Sequence, residues 1–310
     1  MVRSRLILLA LPLLAGCAQM GERAEPPASA SLRFAQALDQ AQEAVDGAVD
    51  RMDSFERMAQ REDSAIAFAV GGRGAPAGHF TAPPAGAAEA AGRVMDPAFL
   101  ALGDYAHVLA QAASGQPVRD ATVGNGQVLA RAAANGLAAV QAASGTPVLE
   151  PVRQAGLAGI TALADLPGVL AAQRERPSLA ALVEEGQPHV VAVIAMLRAV
   201  VGAEPGLGTR GAIRARHEGL DAQQARFLAA LRGDSRIGVA ERYSIFRSVA
   251  EARDNDPAQG NLASIIDLLA AIEQAHAALA VSGPDAEGRV AQLELAVARL
   301  SALTEGSRRG

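Results

Sequence analysis

The sequence predicts an all-α protein, and three observations carry that prediction. Half of the residues are apolar, yet Trp is absent, Tyr occurs twice and Phe seven times, so a core must be built from small side chains. Small side chains bury little area each, at about 25 cal/mol per Å², and stability then requires many closely approaching helices. Alanine is also the best helix former, and no segment alternates with period two over a useful length. The expected architecture is a single domain over residues 31–305, an antiparallel bundle of eight or nine helices, followed by a disordered tail at 306–310.

The first helix is expected over about 31–70. Phe34, Leu38, Ala41, Val45, Ala48, Met52, Phe55 and Ala59 recur at alternating steps of four and three. That spacing draws one apolar stripe along the helix, with Asp39, Glu43, Asp46, Asp50, Asp53 and Glu56 on the other faces. Residues 71–86 (GGRGAPAGHFTAPPAG) break the pattern with Gly and Pro. Loops of this length inside a compact domain are uncommon and are often functional or disordered. This one carries His79 and Phe80, which would form a docking tip if the loop serves a partner; a plain linker is the alternative.

Asp96-Pro97 reads as a helix start, because Asp caps and Pro fits the first helical position. Phe99, Leu102, Ala106 and Leu109 continue it to a stop at Gly115. An octapeptide, Gln111-Ala-Ala-Ser-Gly-Gln-Pro-Val118, recurs as Gln141-Ala-Ala-Ser-Gly-Thr-Pro-Val148. Both copies have the form of a helix C-terminus, a Gly stop and a Pro restart, and two copies are too few for a stacked array. The helix expected over 119–143 contains Gly124, Gly126 and Gly136, whose cost of up to about 1 kcal/mol each calls for close packing or a kink. A helix or helix pair follows over 149–173, with a break expected at Pro167-Gly168. Residues 178–201 form another, with a kink or restart at Pro188. Val190 to Leu197 is apolar on every face, which marks a buried helix; Arg198 ends a run too short to span a bilayer. Helices at about 207–232, 238–253, 257–281 and 285–304 complete the chain. Leu262, Ile265, Leu269, Ile272, His276 and Leu279 make one stripe, and Val290, Leu293, Val297 and Leu300 another.

Motif tests are mostly negative. Gly206-Leu-Gly208-Thr-Arg-Gly211 matches a dinucleotide-binding pattern in letters, but no strand precedes it. His217-Glu218 lacks the second His of a zinc-protease motif, since position 221 is Asp. Asp254-Asn-Asp256 fails as a calcium loop, because no Glu follows at the required offset. No catalytic set, metal site or cofactor is therefore assigned, although an Asp/Glu pair of a cell-wall hydrolase needs no local motif. Polar residues on apolar stripes are more informative. His217 and Gln224 share a face with Ile213, Leu220, Phe227 and Leu231, and His276 lies on its own stripe. These three are expected to point inward, either as satisfied core groups or as the polar end of a ligand pocket. A two-histidine metal site completed by Glu184 or Glu185 is a variant of the pocket idea. Arg210, Arg214 and Arg216, and further on Arg242, Arg247 and Arg253, form small basic groups that suit a solvated face or an anionic partner such as lipid headgroups.

The N-terminus carries the most specific signal. Arg3 and Arg5 precede the apolar run Leu6 to Leu14, and Leu14-Ala15-Gly16-Cys17 follows. A basic start, a short apolar stretch and a small-residue cleavage site have the layout of an export signal. Ending directly on cysteine, this segment resembles the lipobox of bacterial lipoprotein precursors. The resemblance covers residues 1–17 and implies removal of 1–16, with Cys17 becoming an N-terminus that carries a diacylglycerol and usually a third acyl chain. Two or more acyl chains hold a protein stably on a membrane. The absence of Asp just after the cysteine implies sorting to the periplasmic face of the outer membrane. Residues 17–30 then form an acylated, flexible tether with a reach of roughly 20 to 40 Å.

Loss of Arg3 and Arg5 with the signal leaves 26 of the 28 basic residues against 33 acidic ones, a net charge of −7. There is no Lys, which excludes Schiff-base chemistry, and a mildly acidic exported domain without a basic stripe points away from nucleic acid. The expectation is a lipid-anchored, non-enzymatic envelope scaffold or adaptor working through protein contacts. The alternative is a helical carrier of a small apolar or amphipathic ligand, with His217, Gln224 and His276 at its polar end.

Overall fold

The computed structural model describes residues 29–70, 85–115, 126–173, 178–204, 206–254, 258–280 and 284–305. Among these residues there are nine helices and no strand: α1 (Ala30–Ala69), α2 (Ala87–Ala113), α3 (Gly126–Ser144), α4 (Glu150–Gln173), α5 (Leu179–Val201), α6 (Gly208–Gly233), α7 (Val239–Asp254), α8 (Ala258–Ala278) and α9 (Pro284–Glu305). Cys17, His79, Phe80, residues 119–125 of the helix expected over 119–143, and the 306–310 tail lie outside the described residues.

All eight stripe positions of α1 are buried, from Phe34 to Ala59. α1 is the organising rod, about 60 Å long at 1.5 Å per residue. α2 runs antiparallel to it: the start of α2 lies at Glu56, Gly92 packs on Val49, and Tyr105 lies at the level of Phe34. α8 also runs antiparallel, placing His276 beside Phe34. α9 runs parallel to α1, joined early by Arg33 to Glu287 and Glu294 and late by packing of Gly47 on Thr304. α3, α4 and α5 extend the up-and-down order, with Gly136 against Arg93 of α2 and Gly156 against Met196. α6 leaves the end of α5 through a tight corner and crosses to Phe55, and α7 packs back on α6 and on little else.

Proline is where sequence and structure part. Pro97, Pro167 and Pro188 all sit inside continuous helices, so Asp96-Pro97 is no helix start, Pro167-Gly168 is no break and Pro188 is no restart. An interior proline costs about 3 kcal/mol in isolation, and here tertiary packing overrides that. The Arg93 carbonyl, which Pro97 cannot bond, lies against Gly136 of α3, where a Cβ would come within 2.8 Å of it. Glycine at 136 thus lets α3 approach the disrupted turn closely. The two octapeptide copies do end helices alike, on Gly115 and Gly145 with φ of 68° and 69°. The Gly206–Gly211 run makes the α5–α6 corner, where the buried Thr209 hydroxyl donates to the Val200 carbonyl.

A second correction concerns Glu56. It does not join the exposed acidic faces of α1 but is buried, at 3% exposure. Its carboxylate accepts from the backbone N–H groups of Ala87 (3.1 Å) and Ala88 (2.8 Å), capping α2 from another helix. Gly86 has no side chain to cap with, and a Cβ there would collide with the Glu56 carboxylate. Asp165 does the same for α3, accepting from Gly126 N–H at 2.9 Å. α5 is the one described helix long and apolar enough to cross a membrane. Here Val190, Val193, Ile194, Met196 and Leu197 are buried against its neighbours, α2, α4 and α8.

Candidate functional site

The most enclosed polar centre joins α2, α5 and α8. Tyr105 and His276 are both closed to solvent, with the hydroxyl 2.8 Å from His276 Nε2 and 2.9 Å from the Leu182 carbonyl. On the other side of the ring, His276 Nδ1 lies 2.7 Å from Gln187 Oε1. A neutral imidazole has one N–H. With Nδ1–H donating to Gln187, Nε2 accepts the Tyr105 proton, and the Leu182 carbonyl is the alternative acceptor. Burial pushes His276 down to about 4, so the ring is neutral near pH 7. Burial, with Glu185 adding, raises the Tyr105 hydroxyl well above its ordinary range. Phe34 closes the ring's remaining side, with centroids 6.2 Å apart. With Tyr105 and His276 both closed to solvent and Gln187 partly buried, this centre ties α2, α5 and α8 together.

A pH dependence follows from His276. The unfolded chain takes up a proton near pH 6.5 that the folded chain refuses until about 4. Between those values the unfolded state binds more protons, so folding stability is intact above pH 6.5 and falls as the pH drops toward 4. The full loss from this group is about 3 kcal/mol. Urea titrations at pH 7 and pH 4 should show a drop in stability that His276→Gln largely removes; an unchanged drop in that variant would assign the acid lability elsewhere.

The residues expected to share a pocket are not brought together. His217 is half-buried, its ring 6.2 Å from Phe55 and its Nε2 3.4 Å from Asp221. Gln224 is fully buried in α6. Because Phe34 and Phe55 are 21 residues apart on one helix, His276 and His217 are separated by about 30 Å. No single small ligand or metal ion spans them, and no cluster of three potential metal ligands occurs among the described residues. The closest approach to a catalytic acid pair is Asp46 with Asp96, across α1 and α2. Desolvation of its carboxyl, then Asp96, Asp50 and Glu43, raises Asp46 to about 6. Both side chains reach the surface of the bundle, while their carboxyls are crowded by the two helices and by one another.

Two features that the sequence patterns did not flag concern surface shape. An open cleft of about 790 Å³ lies at the end of the bundle where α1 begins. Ala30, Ala112, Ala113, Leu179, Leu279, Pro284 and Ala286 line it together with the polar Ser29, Ser31 and Glu287. At the opposite end, large apolar side chains are left uncovered: Phe68 (76% exposed) and Val70 at the tip of α1, and Val239, Tyr243 and Phe246 along α7. The spacing of the α7 residues, i, i+4 and i+7, was the available signal, but the same spacing describes a core stripe. No protein-family model matches the chain, and no curated protein or solved structure is similar to it.

Proposed function

We propose that this chain is a lipid-anchored periplasmic protein that works as an envelope scaffold or adaptor through protein contacts. The Leu14-Ala15-Gly16-Cys17 segment supports the anchor, and the tether it begins enters the bundle at the start of α1. The observation that carries the contact reading is the far tip of α1. In a chain with only seven phenylalanines, Phe68 stands 76% exposed there, next to the 71–86 segment that holds His79 and Phe80. Anchoring raises the effective concentration of such a tip at membrane-bound partners. The test compares acylated protein, Cys17→Ser, Phe68→Ser and a 72–85 deletion in quantitative capture from solubilised envelopes. A stoichiometric envelope protein should be retained by the acylated chain and lost from the two tip variants. Identical captured sets from all four proteins would sink the adaptor reading.

The carrier reading keeps one support, the apolar cleft at the tethered end, with a lining that contains none of His217, Gln224 and His276. Native mass spectrometry of the purified protein tests it: a co-purifying amphiphile lost on Ala112→Phe would favour the carrier.

A further inference from the structure

We infer that the open face of α7 is a second membrane contact, which docks on an anionic phospholipid surface and lays the bundle along the bilayer. The inference rests on the anchored reading above, which supplies the nearby bilayer. At about 100° per residue, Val239, Tyr243 and Phe246 fall within an arc of about 60°. Arg242 and Arg247 flank that arc at about 70° on either side, while Glu241 and Glu251 fall more than about 100° from its centre. Val249 is the buried residue that turns toward α6, so the aromatic stripe is a second apolar face that none of the described helices covers.

Charge and area together select the occupant. The mature chain is acidic, and its acidic faces are repelled by an anionic bilayer. α7 instead sets arginines beside exposed aromatic residues. The Arg247–Glu251 pair is exposed at both ends and so worth little. The Arg247 guanidinium is free to exchange it for a lipid phosphate, which it can bind in bidentate fashion. Arg242 donates to the Ile237 and Arg232 carbonyls and keeps its charge. Three partly exposed side chains offer roughly 300 to 400 Å², well short of the ~800 Å² per partner of a stable protein interface. A patch of that size suits insertion at headgroup depth, where Tyr and arginine stems are at home. Position supports the geometry. α6 passes Phe55, about 40 Å along α1 from the tethered end, so lipid at Cys17 and α7 at the other end form two attachment points.

The chain has no Trp, so Phe246→Trp gives a single reporter at a site already exposed, and Ser244→Trp gives a control on the polar side of α7. Full-length acylated protein is mixed with vesicles of phosphatidylcholine alone or phosphatidylcholine with phosphatidylglycerol. Emission from the Phe246→Trp protein should shift to the blue and be quenched by lipids brominated on their acyl chains. The effect should be larger with phosphatidylglycerol and should shrink when Arg247→Glu is added. Emission from the Ser244→Trp protein should stay water-like. Water-like emission from the Phe246→Trp protein at saturating vesicles overturns the proposal, as does equal quenching at both positions. A blue shift that needs an added envelope protein fraction instead of lipid also overturns it, in favour of a protein partner. The mass of the N-terminal peptide reports acylation independently, so failure of the anchor and failure of α7 docking are separate results.

Discussion

Glu56→Ala should destabilise the protein by about 3 kcal/mol, the largest loss expected from any single charged residue here. Two backbone donors at the start of α2 lose their acceptor together, and they sit where water does not reach them. The carboxylate also faces the positive end of α2's dipole, which adds to its stabilising effect. Gly86 cannot take over, having no side chain. Glu56→Gln keeps an acceptor oxygen and most of the shape, so its cost should be roughly half as large. Urea unfolding measures both, with the midpoint falling and the slope unchanged. A loss below about 1 kcal/mol for Glu56→Ala would mean that water or another side chain satisfies the start of α2.

Gly186→Ala should cost a similar amount by a different route. A Cβ at 186 would overlap the Tyr105 ring and hydroxyl. Either α2 and α5 move apart or Tyr105 abandons both His276 and the Leu182 carbonyl. Overpacking of this kind costs about 1 to 3 kcal/mol, and unmet polar groups add to it. The mechanism is testable beyond its size. Tyr105→Leu is itself destabilising, but it vacates the space that the added methyl needs. The double substitution should therefore cost clearly less than the two singles together, a coupling that distant, independent sites do not show. Additive losses would place the effect of Gly186→Ala in the backbone of α5 and not in its contact with Tyr105.

Much of this fold was readable because its signal is local. The 4–3 stripe from Phe34 to Ala59 and the stripe ending at Leu300 each lie within one helix, the stripe from Leu262 runs through α8 to Leu279 just past its end, and all are buried as expected. Helix ends at Gly115 and Gly145 were legible for the same reason. The helix start read at Pro97, the break read at Pro167 and the restart offered as one alternative at Pro188 all fail because a proline's local preference was outweighed within continuous helices. Glu56 was misplaced because its partners lie 31 and 32 residues away. The inward turn of His276 was legible; its hydrogen bonds to Tyr105 and Gln187 were not, because they join three helices. His217 shares a stripe with Gln224, but stripe membership says nothing about distance from another helix's histidine. The open face of α7 was invisible as such, since an apolar stripe does not reveal whether a neighbour covers it.

Whether Cys17 holds this bundle at a membrane, as proposed, is read from the mass of the protein's N-terminal peptide isolated from the envelope fraction. An anchored protein gives a peptide that begins at Cys17 and carries a thioether-linked diacylglycerol, with or without a third acyl chain. A chain that retains Met1, begins at another residue, or begins at Cys17 with a free thiol would contradict the proposed anchor.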